Sequence, residues 1–345
     1  MYTKYYGLTY KPFDLIPDPG MVFLSETHQE ALAILKYGVI DRKGFLLLTG
    51  DVGTGKTTLI QKLINSLDTR VHVCFIANPT LSEADFYHYL AAEYNLEDYA
   101  NNKAKFIINF AHFLKNCREH NERVLLIIDE AHVLPQQLFE EIRLLSNQRY
   151  EDYGILSIFL VGQPELNDRL STERLLPLRQ RIGIRFHLNP FSREETVDYI
   201  RYRMRKAGAQ RLDIFSNDAL QMIHDESKGI PRLINIICDQ AFLSGFADSK
   251  TQIDLETIQE TIQELHIPGD KTTLPLPAAK VHRNWWPKKW VALSIASLLA
   301  IVLVLALFSK NNIYITEQNL GAIVNDIREQ LIAEGALFWE RYLKL

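Results

Sequence analysis

Cysteine is scarce in this sequence: Cys74, Cys117 and Cys238 are the only three, and they lie far apart in apolar stretches. The sequence contains no CxxC pair and no Cys/His spacing typical of a metal site, so neither a disulfide framework nor a zinc site is predicted. We expect reduced core thiols in a cytosolic domain. The first nine residues lack the apolar run and cleavage site of a signal peptide, so none is expected.

Positive charge is not in excess either, since the formal net charge is −4. This balance argues against a protein that coats nucleic acid, although it leaves room for a local basic patch. The composition, 47% hydrophobic and 23% charged, is that of a globular protein.

Short apolar runs alternate with helical patterns between about residues 40 and 190. The predicted strands are Phe45–Thr49, Val71–Ala77, Val124–Asp129, Ile155–Val161 and Gly183–Leu188. This alternation predicts a three-layer αβα domain with a parallel sheet over residues 44–190. Residues 1–43 form an N-terminal segment and a leading helix, for which Ser25 is the expected N-cap.

The pattern then becomes purely helical. The predicted helices are Ser192–Lys206, Ser216–Glu226, Ile230–Phe246 and Thr251–Leu265. They indicate a small all-helical lid domain over residues 191–266, followed by a linker and basic juxtamembrane segment over residues 267–289.

A long uncharged run, Val291–Phe308, lies beyond this linker and is preceded by three tryptophans. Eighteen residues at 1.5 Å per residue cover roughly 27 Å, close to the thickness of a bilayer core. We predict one transmembrane helix over residues 290–309. Lysine and arginine are more frequent before this run than after it, which predicts a cytoplasmic N-terminal domain and a short extracytoplasmic tail, residues 310–345.

A glycine-rich loop, Gly50–Thr57, matches G-x-x-x-x-G-K-[ST] at every fixed position and lies between a predicted strand and a predicted helix. Backbone N–H groups of such a loop surround a β-phosphate. Lys56 is expected to bridge the β- and γ-phosphates, and Thr57 to bind Mg²⁺. The residues predicted to contact ATP are Gly50, Asp51, Val52, Gly53, Thr54, Gly55, Lys56, Thr57 and Thr58, together with Asp129.

Two carboxylates, Asp129 and Glu130, follow the apolar third strand. Asp129 is expected to hold Mg²⁺ and Glu130 to polarise the attacking water. For His132, two residues after Glu130, we predict packing or local hydrogen bonding and no catalytic role. ATP is favoured over GTP because Asn102–Lys105 lacks the aspartate of a guanine-reading [NT]-K-x-D element.

Further polar residues complete the predicted site. Gln163 follows the fourth strand and is the first candidate for contact with the lytic water or γ-phosphate, with Asn147 as the second. Arg179 and Arg181 are candidates for an arginine finger given to a neighbouring subunit, the alternative being a solvated basic helix end. Arg232 starts a lid helix, where an anion such as the γ-phosphate would neutralise it.

Several motifs occur together and in a fixed order: the P-loop, Asp-Glu-Ala-His, Val-Gly-Gln-Pro-Glu-Leu, Leu-Arg-Gln-Arg-Ile, Gly-Ile-Pro-Arg, and the opening Tyr-Tyr-Gly-Leu, Pro-Phe, Pro-Asp-Pro and Phe-Leu-Ser. This combination resembles the AAA+ ATPases, and more narrowly the general secretion pathway protein A (ExeA/GspA) type, over residues 5–265. The resemblance implies that Lys56 and Thr57 are Walker A residues and that Asp129 and Glu130 are Walker B residues. It also implies that Gln163 is sensor 1, that Arg179 or Arg181 is the finger, and that Arg232 is sensor 2.

The same resemblance implies a bacterial inner-membrane ATPase that helps to assemble type II secretion or type IV pilus-like machinery. It implies a homo-oligomer, a ring or a filament, in the ATP state, and a membrane partner protein. Longer relatives continue into a peptidoglycan-binding domain, whereas only residues 311–345 follow Lys310, so a short form without that domain is expected.

Two alternatives remain open at this point. One is a DNA-associated regulator of the transposition type, in which the basic stretch Arg201–Lys206 would contact phosphates. The other is a slow, membrane-tethered switch that responds to nucleotide by changing its oligomeric state. A fold alone does not choose among these functions.

Overall fold

A five-stranded parallel sheet carries the glycine-rich loop. The computed structural model describes residues 1–15, 21–96, 102–147 and 155–265. The strands are β1 Phe45–Gly50, β2 Val71–Ile76, β3 Arg123–Ile128, β4 Leu156–Gly162 and β5 Ile182–Leu188. They lie in the order β2-β3-β4-β1-β5, and every neighbouring pair is parallel. The α/β fold with a parallel sheet, predicted from the alternating pattern, is confirmed.

Helices cover both faces of this sheet, which is why the central strands β1, β3 and β4 are buried along almost their whole length, whereas the edge strand β5 alternates between buried and less buried residues. These helices are α2 Glu26–Ile40, α3 Lys56–Ile64, α4 Glu83–Glu93, α5 Lys103–Glu119, α6 Gln136–Leu145, α7 Glu165–Leu170 and α8 Leu176–Arg179. A short helix, α1 Tyr2–Tyr5, comes before them and does not pack on the sheet. Alternate residues of β1 point to opposite faces. Leu46 and Leu48 join the core with α2 and α3, whereas Phe45 and Leu47 join the core with α4, α5 and α6.

A helical unit follows β5. Its helices are α9 Arg193–Lys206, α10 Asn217–Ser227, α11 Pro231–Ala247 and α12 Leu255–Leu265. Ser192 begins α9 with a capping box, in which its side chain accepts from the Glu195 N–H and the Glu195 carboxylate accepts from the Ser192 N–H. Such a cap fixes the point at which the chain leaves the sheet. We call α9–α12 the lid.

The beginning of the chain packs on the lid and not on the sheet. Tyr2, Tyr6 and Phe13 are buried in the lid core. The Tyr2 hydroxyl donates to Asp239 Oδ1 at 2.5 Å, and the Tyr6 hydroxyl donates to the Lys250 carbonyl at 3.0 Å. The predicted segment 1–43 is thus divided, because its first residues belong to the lid and α2 belongs to the sheet layers.

One predicted helix begins four residues later than expected. The sequence pattern predicts a helix that starts at Thr251, but α12 starts at Leu255. Ile253 is held in a short parallel bridge, donating to the Ile214 carbonyl at 2.7 Å and accepting from the Ser216 N–H at 2.9 Å. This long-range pairing competes with the helix, so the Thr251 start was wrong.

All three cysteines are buried and reduced. Burial raises the pKa of the Cys117 thiol to about 12, and it raises the pKa values of Cys74 and Cys238 still further above the ordinary range. The expectation of core thiols is confirmed.

The predicted linker (267–289), membrane span (290–309) and tail (310–345) lie outside the described residues. Within the described ranges, no helix is both long enough and apolar enough to cross a bilayer.

Candidate functional site

The glycine-rich loop joins β1 to α3 and borders a cavity of about 650 Å³. Gly53 has φ +82°, and a Cβ atom added there would lie 2.9 Å from the Cβ of Arg232. A side chain at this position would therefore be strained and would collide with the lid. The loop and the lid touch at the point where the sequence predicted phosphate contacts.

Lys56 is the first residue of α3 and is buried. Its ammonium group donates to the carbonyls of Gly50 and Asp51, both at 2.8 Å. Burial lowers the pKa of Lys56, while the negative charges of Glu130 and Asp129 act in the opposite direction. The nearby carboxylates thus favour the charged form of Lys56 inside the loop, and a charged ammonium group is what binds a phosphate.

Thr57 and Asp129, the two predicted metal ligands, are in direct contact. The Thr57 hydroxyl donates to Asp129 Oδ2 at 2.6 Å, and Asp129 is buried at the end of β3. The other carboxylate oxygen accepts from the Glu130 N–H at 2.9 Å. A hydroxyl and a carboxylate are oxygen ligands of the kind Mg²⁺ prefers, so this pair fits that ion.

Glu130 occupies a left-handed backbone conformation, with φ +50°. This conformation is uncommon for a residue other than glycine, asparagine or aspartate and is found at functional turns. The turn directs the side chain to the wall of the cavity that the glycine-rich loop also lines. The buried Oε2 of Glu130 has no hydrogen-bond partner among the described residues, and His132 Nδ1 lies 3.2 Å away.

Gln163 and Arg232 border the same cavity from β4 and from the lid. Gln163 follows β4, the strand between β3 and β1, so it faces both Glu130 and the loop. Arg232 is the second residue of α11, whose N-terminus lies over Gly53. Asn147, the second candidate for the γ-phosphate contact, is exposed after α6 and does not line this cavity.

Arg179 and Arg181 do not line this cavity either. Arg181 donates to Ser146 Oγ at 2.7 Å and to the Arg143 carbonyl at 3.2 Å, so its guanidinium caps the end of α6. Arg179 is half-buried at the end of α8. The two arginines therefore differ, because Arg181 is fixed within its own subunit by these bonds.

Several cavity residues were not predicted. They come from the N-terminal segment, from the start of the lid and from α11: Val22, Phe23, Leu24, His28, Phe191, Tyr199, Arg203 and Asn235. Apart from Arg203, whose guanidinium is bonded to the Pro12 and Asp14 carbonyls, these side chains are apolar, aromatic or amide-bearing, which suits a nucleoside more than a phosphate. Only the Phe-Leu-Ser string before α2 carried a signal of their role, through the resemblance.

Comparisons with known proteins agree with this geometry. A family model described as an AAA domain matches residues 40–170. The general secretion pathway protein A of Aeromonas hydrophila is 41% identical over 255 residues, which is 73% of this chain and 46% of that protein. The resemblance expected from the motifs is confirmed, and the chain spans less than half the length of that relative.

Solved structures share the fold. Cdc6p from Pyrobaculum aerophilum superposes with a TM-score of 0.55 at 17% identity, covering 73% of this chain and 70% of that one. The ORC2 protein of Aeropyrum pernix, solved as ADPNP–ADP complexes, gives 0.55 at 16% identity, covering 74% and 71%. At these identities the likeness establishes an AAA-type P-loop fold.

Proposed function

We propose that this chain, which is related to general secretion pathway protein A over 255 residues and contains an AAA domain at residues 40–170, binds ATP with Mg²⁺ and hydrolyses it. The observation that carries the proposal is the contact of buried Asp129 with Thr57, which lines a cavity together with Glu130, Gln163 and Arg232. The groups proposed to act on the phosphates, the metal and the water thus lie together although they come from four separate parts of the chain.

Each residue has a task in the proposed reaction. Lys56 and the loop N–H groups bind the β- and γ-phosphates, and Thr57 and Asp129 hold Mg²⁺, which supplies charge neutralisation when bound. Glu130 accepts a proton from the attacking water. Gln163 orients that water or the γ-phosphate, and Arg232 brings a positive charge from the lid.

Two substitutions test this proposal. Lys56→Ala is expected to abolish ATP binding in calorimetry, whereas Lys4→Ala, an exposed lysine outside the cavity, leaves the affinity unchanged. Glu130→Gln should keep ATP affinity and lower turnover by about a hundredfold or more, the usual contribution of a general base. Unchanged affinity in the first variant, or normal turnover in the second, would contradict the assignment.

We propose further that the protein is an inner-membrane ATPase that drives or gates assembly of an envelope complex of the type II secretion or type IV pilus class. The relation to general secretion pathway protein A supports this, as does the apolar run at residues 290–309. The ATPase domain would be cytoplasmic and the tail periplasmic, with a homo-oligomer and a membrane partner protein forming the active assembly.

Partner capture tests the envelope proposal. Tagged Glu130→Gln protein is expressed in its native membrane, solubilised gently with ATP and purified, with Lys56→Ala protein as the control that does not bind ATP. Components of a secretion or pilus machine should co-purify in an ATP-dependent manner. Recovery of the protein in the soluble fraction, or ATP-dependent capture of chromosomal DNA in their place, would contradict it.

The contacts of one arginine in the lid weaken the DNA-binding alternative. Arg203, in the middle of the basic stretch Arg201–Lys206, is buried, and its guanidinium donates to the carbonyls of Pro12 at 2.6 Å and Asp14 at 3.1 Å. This side chain holds the N-terminal segment and does not offer its charge to a phosphate backbone. The remaining cations of α9 are an ordinary solvated helix end.

A further inference from the structure

His132 lies between the two residues that would handle the attacking water. Its Nδ1 atom is 3.2 Å from Oε2 of Glu130 and 3.5 Å from the backbone nitrogen of Gln163. Gln163 follows β4 and Glu130 follows β3, so one imidazole spans the ends of two neighbouring strands. Its side chain is 15% exposed, which leaves it little freedom to turn away.

The backbone under this imidazole is held firmly. Arg169 donates to the carbonyl of His132 at 2.5 Å and to the carbonyl of Leu134 at 2.7 Å. Its guanidinium also lies 5.0 Å from the ring centre of Phe139, where it gains a cation–π contact. The short helical turn Ala131–Val133 is therefore fixed against α6 and α7, and the position of the imidazole is fixed with it.

The position of the hydrogen on the His132 ring decides whether Nδ1 bonds to Glu130 or to Gln163. In a neutral imidazole, Nδ1 either carries a hydrogen and donates to the carboxylate or lacks it and accepts from the Gln163 N–H. In the structure Nδ1 accepts from the Gln163 N–H at 3.5 Å, whereas Oε2 of Glu130, although closer at 3.2 Å, is not aligned for a hydrogen bond and has no hydrogen-bond partner among the described residues. The Glu130 side chain is 44% exposed and can turn to meet a hydrogen on Nδ1. An enclosed carboxylate oxygen without a donor costs more than the loss of a long contact to a backbone N–H, so the tautomer with hydrogen on Nδ1 is favoured.

We propose that His132 is a positioning residue for hydrolysis: its Nδ1–H holds Oε2 of Glu130 against the strand ends and leaves the other carboxylate oxygen directed at the attacking water. This inference rests on the proposed role of Glu130 as the base and extends it to a residue for which the motifs alone predicted no catalytic role. Carboxylate orientation matters because a displacement of about 1 Å costs on the order of a hundredfold in rate.

Substitutions distinguish positioning from simple packing. Asparagine can place Nδ2 where Nδ1 lies, since both atoms are two bonds beyond Cβ, whereas glutamine places its amide further out. His132→Asn is expected to keep kcat within about threefold, and His132→Leu and His132→Gln to lower it by about ten- to a hundredfold, with KM and the affinity for ATP unchanged. Equal kcat for wild type and His132→Leu, or no rescue by asparagine, would overturn the proposal.

A double-mutant cycle tests whether the effect passes through Glu130. In the Glu130→Gln background, His132→Leu is expected to cause no further loss in single-turnover hydrolysis, because the base is already absent. A loss as large as in the wild-type background would show that His132 acts elsewhere.

A measurement without turnover separates this inference from the proposed activity. Nitrogen-15 spectra of the histidine rings in the full-length protein report which nitrogen carries hydrogen, and His132→Gln identifies the signal. We expect hydrogen on Nδ1, and a change in that signal in Glu130→Ala. Hydrogen on Nε2 alone would overturn the proposal. Failure of the wild-type chain to hydrolyse ATP would overturn the proposed function, but the position of the hydrogen on the His132 ring could still be determined.

Discussion

At the scale of single residues, His28 connects the start of α2 to the phosphate-binding loop. Its Nε2 lies 3.2 Å from the Thr54 carbonyl, and its Nδ1 lies 2.9 Å from Ser25 Oγ, the N-cap of α2. Burial lowers the pKa of this imidazole, against smaller opposing effects of the Thr54 carbonyl and Glu195. The neutral ring is therefore part of the folded state.

The direction of the resulting pH dependence follows from this shift. A histidine with a lowered pKa in the folded state is protonated more readily in the unfolded chain, so stability is fully present above the unfolded pKa of about 6.5 and is lost as the pH falls below it. His28→Gln, whose amide can still reach Thr54, should flatten the fall in melting temperature below that pH. The exposed control His112→Gln should leave the slope unchanged, and an equal slope in all three proteins would contradict the role of His28.

The Walker residues could be predicted from sequence because each motif is a short contiguous string with a fixed structural context. The nucleoside side of the cavity could not, since Val22, His28, Tyr199 and Asn235 come from separate regions and meet only through tertiary packing. His132 had a visible position beside Glu130, but its distance to Gln163 depends on the pairing of β3 with β4, which no local pattern encodes.

At the scale of elements, the connection between α10 and α11 places the lid on the loop. Gly229, just before α11, has φ +74°, and a Cβ there would lie 2.0 Å from the Phe191 carbonyl oxygen. The Phe191 N–H also donates to the Gly229 carbonyl at 2.9 Å. This double contact fixes the start of α11, which carries Arg232 over Gly53.

Gly229→Ala is expected to destabilise the protein by about 3 kcal/mol or more, because both a left-handed conformation and a collision with backbone must be relieved. Gly44→Ala is the matched control, since Gly44 has the same φ of +74° with nothing within 4 Å of an added Cβ. That control should cost only about 1 kcal/mol. Chemical unfolding followed by circular dichroism measures both, and equal losses would contradict the argument.

Most elements were predictable because their apolar spacing matches their environment. The central strands β1, β3 and β4 are apolar on both faces, and α6 and α10 each bury one stripe of residues. The start of α12 was not predictable, because Ile253 pairs with a strand-like residue almost forty positions away in sequence. The division of residues 1–43 between lid and sheet depends likewise on contacts such as Tyr2 with Asp239, which no periodicity reveals.

At the scale of the whole molecule, the proposed homo-oligomer makes a prediction about the two arginines after α7. Arg181 is bonded to α6 of its own subunit, whereas Arg179 lies outside its own cavity and is the better candidate to reach a neighbour. Arg179→Ala should retain ATP binding and lose hydrolysis by on the order of a thousandfold. Arg181→Ala should instead lower the melting temperature, since the end of α6 loses its cap.

Mixing two inactive variants tests whether the finger acts between subunits. Lys56→Ala subunits cannot bind ATP but carry Arg179, so they can complete the site of an Arg179→Ala neighbour. Partial recovery of hydrolysis in the mixture is expected. A mixture of Arg179→Ala and Glu130→Gln proteins is the comparison, because a Glu130→Gln subunit also carries Arg179 and can supply it to the intact base of an Arg179→Ala neighbour. Failure of both mixtures to recover activity would exclude a finger supplied in trans.

The burial of the three native thiols has a practical side for following such an assembly. Maleimide dyes react with thiolates. Cys74, Cys117 and Cys238 are buried and their pKa values are raised, so these three thiols should not be labelled in the folded chain. Donor and acceptor dyes would therefore react only with pairs of cysteines introduced at the surface, and none of the natural cysteines would have to be replaced. Fluorescence transfer could then record the lid and its neighbours through a catalytic cycle in an otherwise unaltered protein.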